Sequence, residues 1–178
     1  GMITLAANRP DRTAIPYQLP QPLGMVADAV VPGALELDGG LWVDQADGVS
    51  FRPLLFNVSQ GYYVNLLRVD RAGILSRHRH AGPVHAFTLR GRWRYLEHDW
   101  VATAGDYAFE PAGETHTLVV EDSGEPMITL FHVTGGYTYV DPNGVALGYE
   151  DVFTKLDATR AHFAANDLDK TALEDLIR

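Results

Sequence analysis

Cysteine is absent from the 178 residues, which excludes disulfides, thiolate metal ligands and thiol nucleophiles together. Long apolar runs are absent as well: no stretch of roughly 18 apolar residues occurs, and no charged leader precedes an apolar segment at the N-terminus. The expectation is a cytoplasmic protein with no membrane partner. Positive charge is scarce, with 14 Lys and Arg against 23 Asp and Glu and a formal net charge of −9. Nucleic acid and anionic membranes both need a basic surface, so neither is expected as a partner. What remains is a chain that is 46% hydrophobic, enough for one domain with a real core.

Proline is concentrated rather than scarce. Five of the ten (Pro10, Pro16, Pro20, Pro22 and Pro32) fall in the first 35 residues. Proline fixes φ and removes a backbone donor, so residues 1–35 are expected to form an extended arm lying over the barrel or over a neighbouring subunit. Residues 36–150 are expected to be the β-barrel. Short runs rich in Val, Ile, Leu, Tyr, Phe and Trp, broken by Gly, Asp, Asn and Pro, cover Tyr62 to Val69, Val84 to Leu89, Trp93 to Leu96, Tyr107 to Phe109, Thr117 to Val120 and Met127 to Val133. Phe87, Tyr95, Tyr107, Phe109 and Phe131 alternate with small or polar residues and read as barrel core. In residues 151–178 the period changes: Leu156, Phe163, Leu168, Leu173, Leu176 and Ile177 are spaced for amphipathic helices, with a break at Asn166-Asp167.

Chemistry concentrates in the histidines. Five of seven (His78, His80, His85, His98 and His116) lie between positions 78 and 116. In Ser76-Arg77-His78-Arg79-His80 two imidazoles stand two residues apart, and on a strand that spacing puts both on one face. The turn in Glu110-Pro111-Ala112-Gly113-Glu114-Thr115-His116 feeds a third onto a second strand. The competing reading, a solvated His-x-His beside Arg77 and Arg79, leaves the second motif unexplained. His85 follows the turn at Gly82-Pro83 and stays open as a fourth ligand, a neighbour of the ligands or an outward residue. His98 and Asp99 read as a hairpin tip, and Tyr62 and Asn65 as polar contacts.

The two motifs resemble those of the cupin superfamily. Gly105, Pro111-Ala112-Gly113 and His116 match the second cupin motif, with Val120 where Asn is usual; the first is matched with changes, the His78-x-His80 pair being intact, Gly73 one residue nearer than usual, Gly91 one residue early and His85 where a metal-binding Glu is usual. The resemblance implies an all-β, single-domain double-stranded β-helix, or jelly-roll barrel, with the arm and the C-terminal helices outside it. The runs Gly91 to Trp100 and Glu110 to Leu118 are similar to the branch holding 2,4'-dihydroxyacetophenone dioxygenases and acetylacetone-cleaving dioxygenases, related to the sensor domain of ChrR-type anti-sigma factors.

That likeness implies a non-haem oxidoreductase using O2 to split a C–C bond in a small β-diketone or hydroxyaryl ketone. It makes His78, His80 and His116 the metal ligands, and gives Glu97, ahead of Glu110, the part of the catalytic carboxylate. Three neutral imidazoles leave the full +2 charge on the ion and favour an anionic bidentate substrate such as an enolate. Fe(II) is the expected metal, with Zn, Ni or Mn also compatible with imidazole. Two other readings stay open: a metal-dependent isomerase, lyase or hydrolase, and a non-catalytic ligand-sensing cupin. A proline-rich arm and an open barrel edge imply a homo-oligomer, a dimer or a tetramer.

Overall fold

A computed structural model describes residues 13–178. Two six-stranded antiparallel sheets face each other. The first runs in the order β1 (Val43–Ala46), β2 (Val49–Asn57), β3 (Tyr62–Val69), β10 (Met127–Thr134), β5 (Val84–Arg90), β8 (Tyr107–Glu110). The second runs β12 (Ala146–Glu150), β11 (Tyr137–Val140), β4 (Gly73–His80), β9 (Thr115–Glu121), β6 (Arg92–Tyr95), β7 (Val101–Thr103). This is the jelly-roll expected from the motifs. Inward residues of both sheets, among them Tyr63, Val84, Trp93, Tyr95, Leu118, Met127 and Phe131, form one core. Pro53 sits inside β2 beside a register shift between Pro53 and Leu55, so the missing donor falls at a bulge.

Three of the five aromatics expected in the core face outward instead. Phe87, Tyr107 and Phe109 are exposed, whereas Tyr95 and Phe131 are buried. The reason is phase. On β5 the buried positions are Val84, Ala86 and Thr88, which turns His85 and Phe87 out, and on β8 it is Glu110 that turns in.

After β12 the chain forms α1 (Val152–Ala165) and α2 (Lys170–Glu174). Asp151 caps α1 by accepting from the amides of Phe153 and Thr154 at 2.9 Å, and the Thr154 hydroxyl accepts from the Asp151 amide at 2.9 Å. These contacts satisfy donors that a helix start leaves free. The break falls where expected, with Asn166 as C-cap and Asp167 at φ 52°. Leu156, Phe163 and Leu173 bury their side chains, each contributing roughly 1.5–3 kcal/mol. Leu176 and Ile177 are not helical: Ile177 bridges Phe56 of β2 in parallel, and the Arg178 amide donates to the Phe56 carbonyl at 2.8 Å.

Residues 13–35 form no helix or strand; residues 1–12 of the expected arm lie outside the described residues. The carbonyls of Ala27 and Asp28 accept from the Arg178 guanidinium at 2.8 Å each, and those of Gly33 and Ala34 accept from Arg52 Nη1 at 2.7 and 3.1 Å. Among the described residues, no helix is long and apolar enough to cross a membrane.

Candidate metal centre

β4 and β9 are neighbours in the second sheet, and their register places His78 opposite His116. β11 flanks β4 on the other side, with Tyr137 opposite His80. Alternation along β4 buries His78 and His80 and leaves Arg79 outside. The turn that delivers His116 is held to β4 by two backbone bonds, from the Gly113 amide to the His80 carbonyl at 2.7 Å and from the His80 amide to the Glu114 carbonyl at 3.1 Å. The three imidazoles that the sequence singles out therefore meet.

Each of the three offers a ring nitrogen within 4.8 Å of the others, and all three are buried. His78 Nε2 and His116 Nε2 are 3.1 Å apart. Nitrogens bound to one ion at about 2.0–2.1 Å lie roughly 2.9–3.4 Å apart, so the His78–His116 spacing fits a first-row divalent metal. Protonation agrees. Burial, reinforced by His80 and His116, holds His78 well below the usual imidazole range. Burial and then His116 lower His80 to about 3, against a smaller opposing effect of the Gly136 backbone. Burial also lowers His116, although Glu114 pulls the other way. All three are neutral at pH 7, the form that binds a metal.

The carboxylate beside the cluster is Glu110, which corrects the order expected from sequence. Its Oε1 lies 3.3 Å from His116 Nε2 and 3.9 Å from His80 Nε2, and accepts a hydrogen bond from the Tyr95 hydroxyl at 2.6 Å. Burial raises the Glu110 carboxyl to about 7, outweighing the Tyr95 bond. With His116 lowered and Glu110 raised, the contact between these two groups is not by itself an ion pair. An adjacent dication reverses that balance and favours the carboxylate. Glu97 is engaged elsewhere: its oxygens accept from the Thr117 amide at 2.6 Å and the Thr117 hydroxyl at 3.0 Å. Burial pulls Glu97 upward, but these bonds outweigh it and hold the group below the usual carboxylate range.

His85 does not join the cluster. It lies in the other sheet on an outward position of β5, where Nδ1 meets the Tyr107 hydroxyl at 2.5 Å. His98 is more than a hairpin tip: its Nε2 meets Glu114 Oε1, and the same oxygen lies 3.4 Å from His116 Nδ1. Glu114 thus fixes the far nitrogen of one imidazole, as Ser76 Oγ does for His78 Nδ1 at 3.0 Å. The Tyr95 ring stacks on His116 at 3.6 Å between centroids. Of the polar contacts expected on β3, Tyr62 stacks outside on His132, whereas Asn65 is buried with Oδ1 unpartnered and lines the cavity.

A cavity of 480 Å³ opens on His78 and His80. Leu67, Leu75, Leu118, Phe131 and Val133 make its walls apolar, and Asn65, Tyr95, Tyr137, Tyr139, Gln45 and Lys155 supply polar atoms. His116 and Glu110 are not part of this lining. The size and character suit a small organic ligand.

Comparison with known proteins agrees with this architecture. A cupin-like protein from Ralstonia eutropha JMP134 shares 29% identity and superimposes with a TM-score of 0.69 over 72% of this chain and 84% of its own. An acetylacetone dioxygenase from Acinetobacter johnsonii, 16% identical, superimposes with a TM-score of 0.67 over 83% of this chain and 99% of its own. A putative acetylacetone dioxygenase from Methylibium petroleiphilum PM1, 18% identical, gives 0.61 over 76% and 99%. At those identities the last two show the fold alone. No curated protein matches the chain. The model of the ChrR cupin-like domain matches residues 34–138, more than half of the chain and both histidine motifs, and the protein belongs to that family.

Proposed function

We propose that the protein is a metal-dependent dioxygenase cleaving a C–C bond in a small β-diketone or hydroxyaryl ketone, with His78, His80 and His116 as ligands. The carrying observation is a set of three buried neutral imidazoles with no carboxylate among the candidate ligand atoms, two of which, His78 and His80, open on a largely apolar cavity. Such a site keeps the full +2 charge and selects an anionic chelator such as an enolate. The metal, Fe(II) in this reading, supplies Lewis acidity and redox capacity toward O2.

The chain's own residues do the rest. Tyr95 lines the cavity and donates to Glu110 Oε1, so its phenol connects bound substrate with a carboxylate, the form an adjacent dication favours, placed to accept the acidic proton of a diketone. Glu114 and Ser76 hold the rings of His116 and His78 in the ligating orientation. Phe131, Leu118 and Val133 exclude water around the enolate. The Acinetobacter protein of the same fold is an acetylacetone dioxygenase, and the reading is consistent with it.

Fe(II)-loaded protein should consume O2 in proportion to acetylacetone or a hydroxyaryl ketone cleaved, and His116→Ala should lose both metal and uptake. No oxygen uptake by metal-replete protein with any such ketone would overturn the reading. Membership of the ChrR cupin-like family supports one alternative, a ligand-sensing cupin, which would bind the diketone without consuming O2.

A further inference from the structure

The cavity has a second polar end, away from the histidines. Lys155, one of only two lysines in the chain, reaches it from α1 with 3% of its surface exposed. Its Nζ donates to Gln45 Oε1 at 2.6 Å and lies 4.1 Å from the centroid of the Phe51 ring. No carboxylate among the described residues makes an ion pair with it. The Glu150 carboxylate acts on it only through charge, and Glu150 Oε2 is taken by the Thr154 hydroxyl at 2.8 Å. A buried ammonium with one hydrogen bond and no counter-ion is costly, and Met or Leu would pack the same helix position without that cost. Burial lowers Lys155 to about 8, which leaves it a cation at pH 7.

A continuous polar wall joins this cation to the metal centre. Gln45 Nε2 donates to the Tyr139 hydroxyl at 3.4 Å, the Tyr139 and Tyr137 hydroxyls are 3.4 Å apart, and the Tyr137 ring packs at 4.9 Å from His78 and 5.4 Å from His80. All of these residues line the same cavity. At 480 Å³ the space exceeds what a five-carbon diketone fills.

We propose that the substrate is a β-diketone or hydroxyketone carrying a carboxylate remote from its chelating oxygens, with that carboxylate bound by Lys155 as a specificity-determining residue. The inference rests on the enolate-binding reading of the three-histidine centre. The ammonium gains the missing counter-charge, and the chelating end is aligned with the cluster by the length of the molecule. A neutral diketone satisfies only one end of the cavity.

The test is calorimetric binding to zinc-loaded protein, which cannot turn over by a redox route. Succinylacetone, a β-diketone with a carboxylate beyond a two-carbon spacer, is compared with its methyl ester. The acid should bind wild type at least about tenfold more tightly than the ester, since a charge-assisted bond to a desolvated ammonium is strong. Lys155→Met should bring the ratio to near one, and Lys155→Arg should preserve it. Equal binding of acid and ester by wild type, or a preference that survives Lys155→Met, overturns the proposal.

A readout independent of folding variants comes from wild type alone. The acid-to-ester ratio should fall as pH rises through about 8, because Lys155 loses its charge there. Tyr63 on β3 and Tyr139 on β11, raised by burial, stay neutral over that range, and enolate ionisation cancels in the ratio. A flat ratio counts against Lys155. If instead iron-loaded protein takes up no O2 while the zinc-protein preference holds, the catalytic reading fails and the anion site stands.

Discussion

Glu97 and Glu110 have opposite fates although both precede a motif histidine. Glu110 ends β8 on an inward position and reaches His116, whereas Glu97 lies beyond β6 and is consumed by Thr117. Period two read from His78 and His80 sufficed to join them, because no turn intervenes within β4. The parity of His85, Glu97 and Glu110 depends on turns whose phase is not written in local sequence, so spacing alone leaves their places open. His98 and Glu114 carried no signal, since their contact joins the loop after β6 to the turn before β9. That contact yields a prediction. Glu114→Ala should lower metal affinity about 10- to 100-fold by freeing the His116 ring while leaving all three ligands in place. Competition against a calibrated chelator measures it, and an unchanged Kd would remove Glu114 from the site.

At the scale of elements, the strands named from sequence were those with clean apolar runs. β2, interrupted by Pro53 and a bulge, and β12, with Gly148 and mostly exposed positions, lack that cadence. Between β10 and β11, Gly136 has φ +73°, and a Cβ there would collide with the Glu150 carbonyl oxygen. Gly136→Ala should therefore cost about 2–4 kcal/mol, and because the next residue is Tyr137, it should also loosen the cavity wall beside His78. Urea denaturation checks this; a loss below about 0.5 kcal/mol would contradict it.

The helix α1 makes a different prediction through Lys155. Its folded pKa, about 8, lies below the unfolded value of 10.5, so between those values the unfolded chain binds more protons and stability rises with pH. Lys155→Met should thus be more stable than wild type at pH 7 by up to about 3 kcal/mol, the gap closing as pH approaches 10. Parallel denaturation curves at pH 7 and 9.5 test it, and a gap that widens with pH would refute the assignment. A residue that costs stability where a methionine would not is what a binding function predicts.

For the whole molecule, metal and fold are coupled. The three proposed ligands sit on β4 and β9, which pair only in the folded barrel, so an ion held by them would bind the native state and not the unfolded chain. At free metal about 1,000 times Kd the gain is about 4 kcal/mol, and for a chain of this size the melting temperature should rise by roughly 8–16 °C. Chelator should reverse the rise in wild type and leave His78→Ala unaffected; equal responses would place the stabilising ion elsewhere. The jelly-roll itself was legible because two motifs and a strand cadence agree. The outward turn of Phe87, Tyr107 and Phe109 was not, since which face of β5 and β8 is covered depends on what lies opposite it.

The grip of Arg178 on Ala27 and Asp28 also sets an order in time. The partners are separated by 151 and 150 positions, so the arm emerges from the ribosome long before its anchor exists. At about 5–20 residues per second that interval is roughly 8 to 30 s, during which the barrel strands can pair and Arg52 can hold Gly33 and Ala34 while Ala27 and Asp28 stay unfastened. Fastening of the arm at Ala27 and Asp28 therefore waits for Arg178, and a nascent chain halted short of that residue should be clipped near residues 27 and 28 under proteolysis that spares the chain containing it.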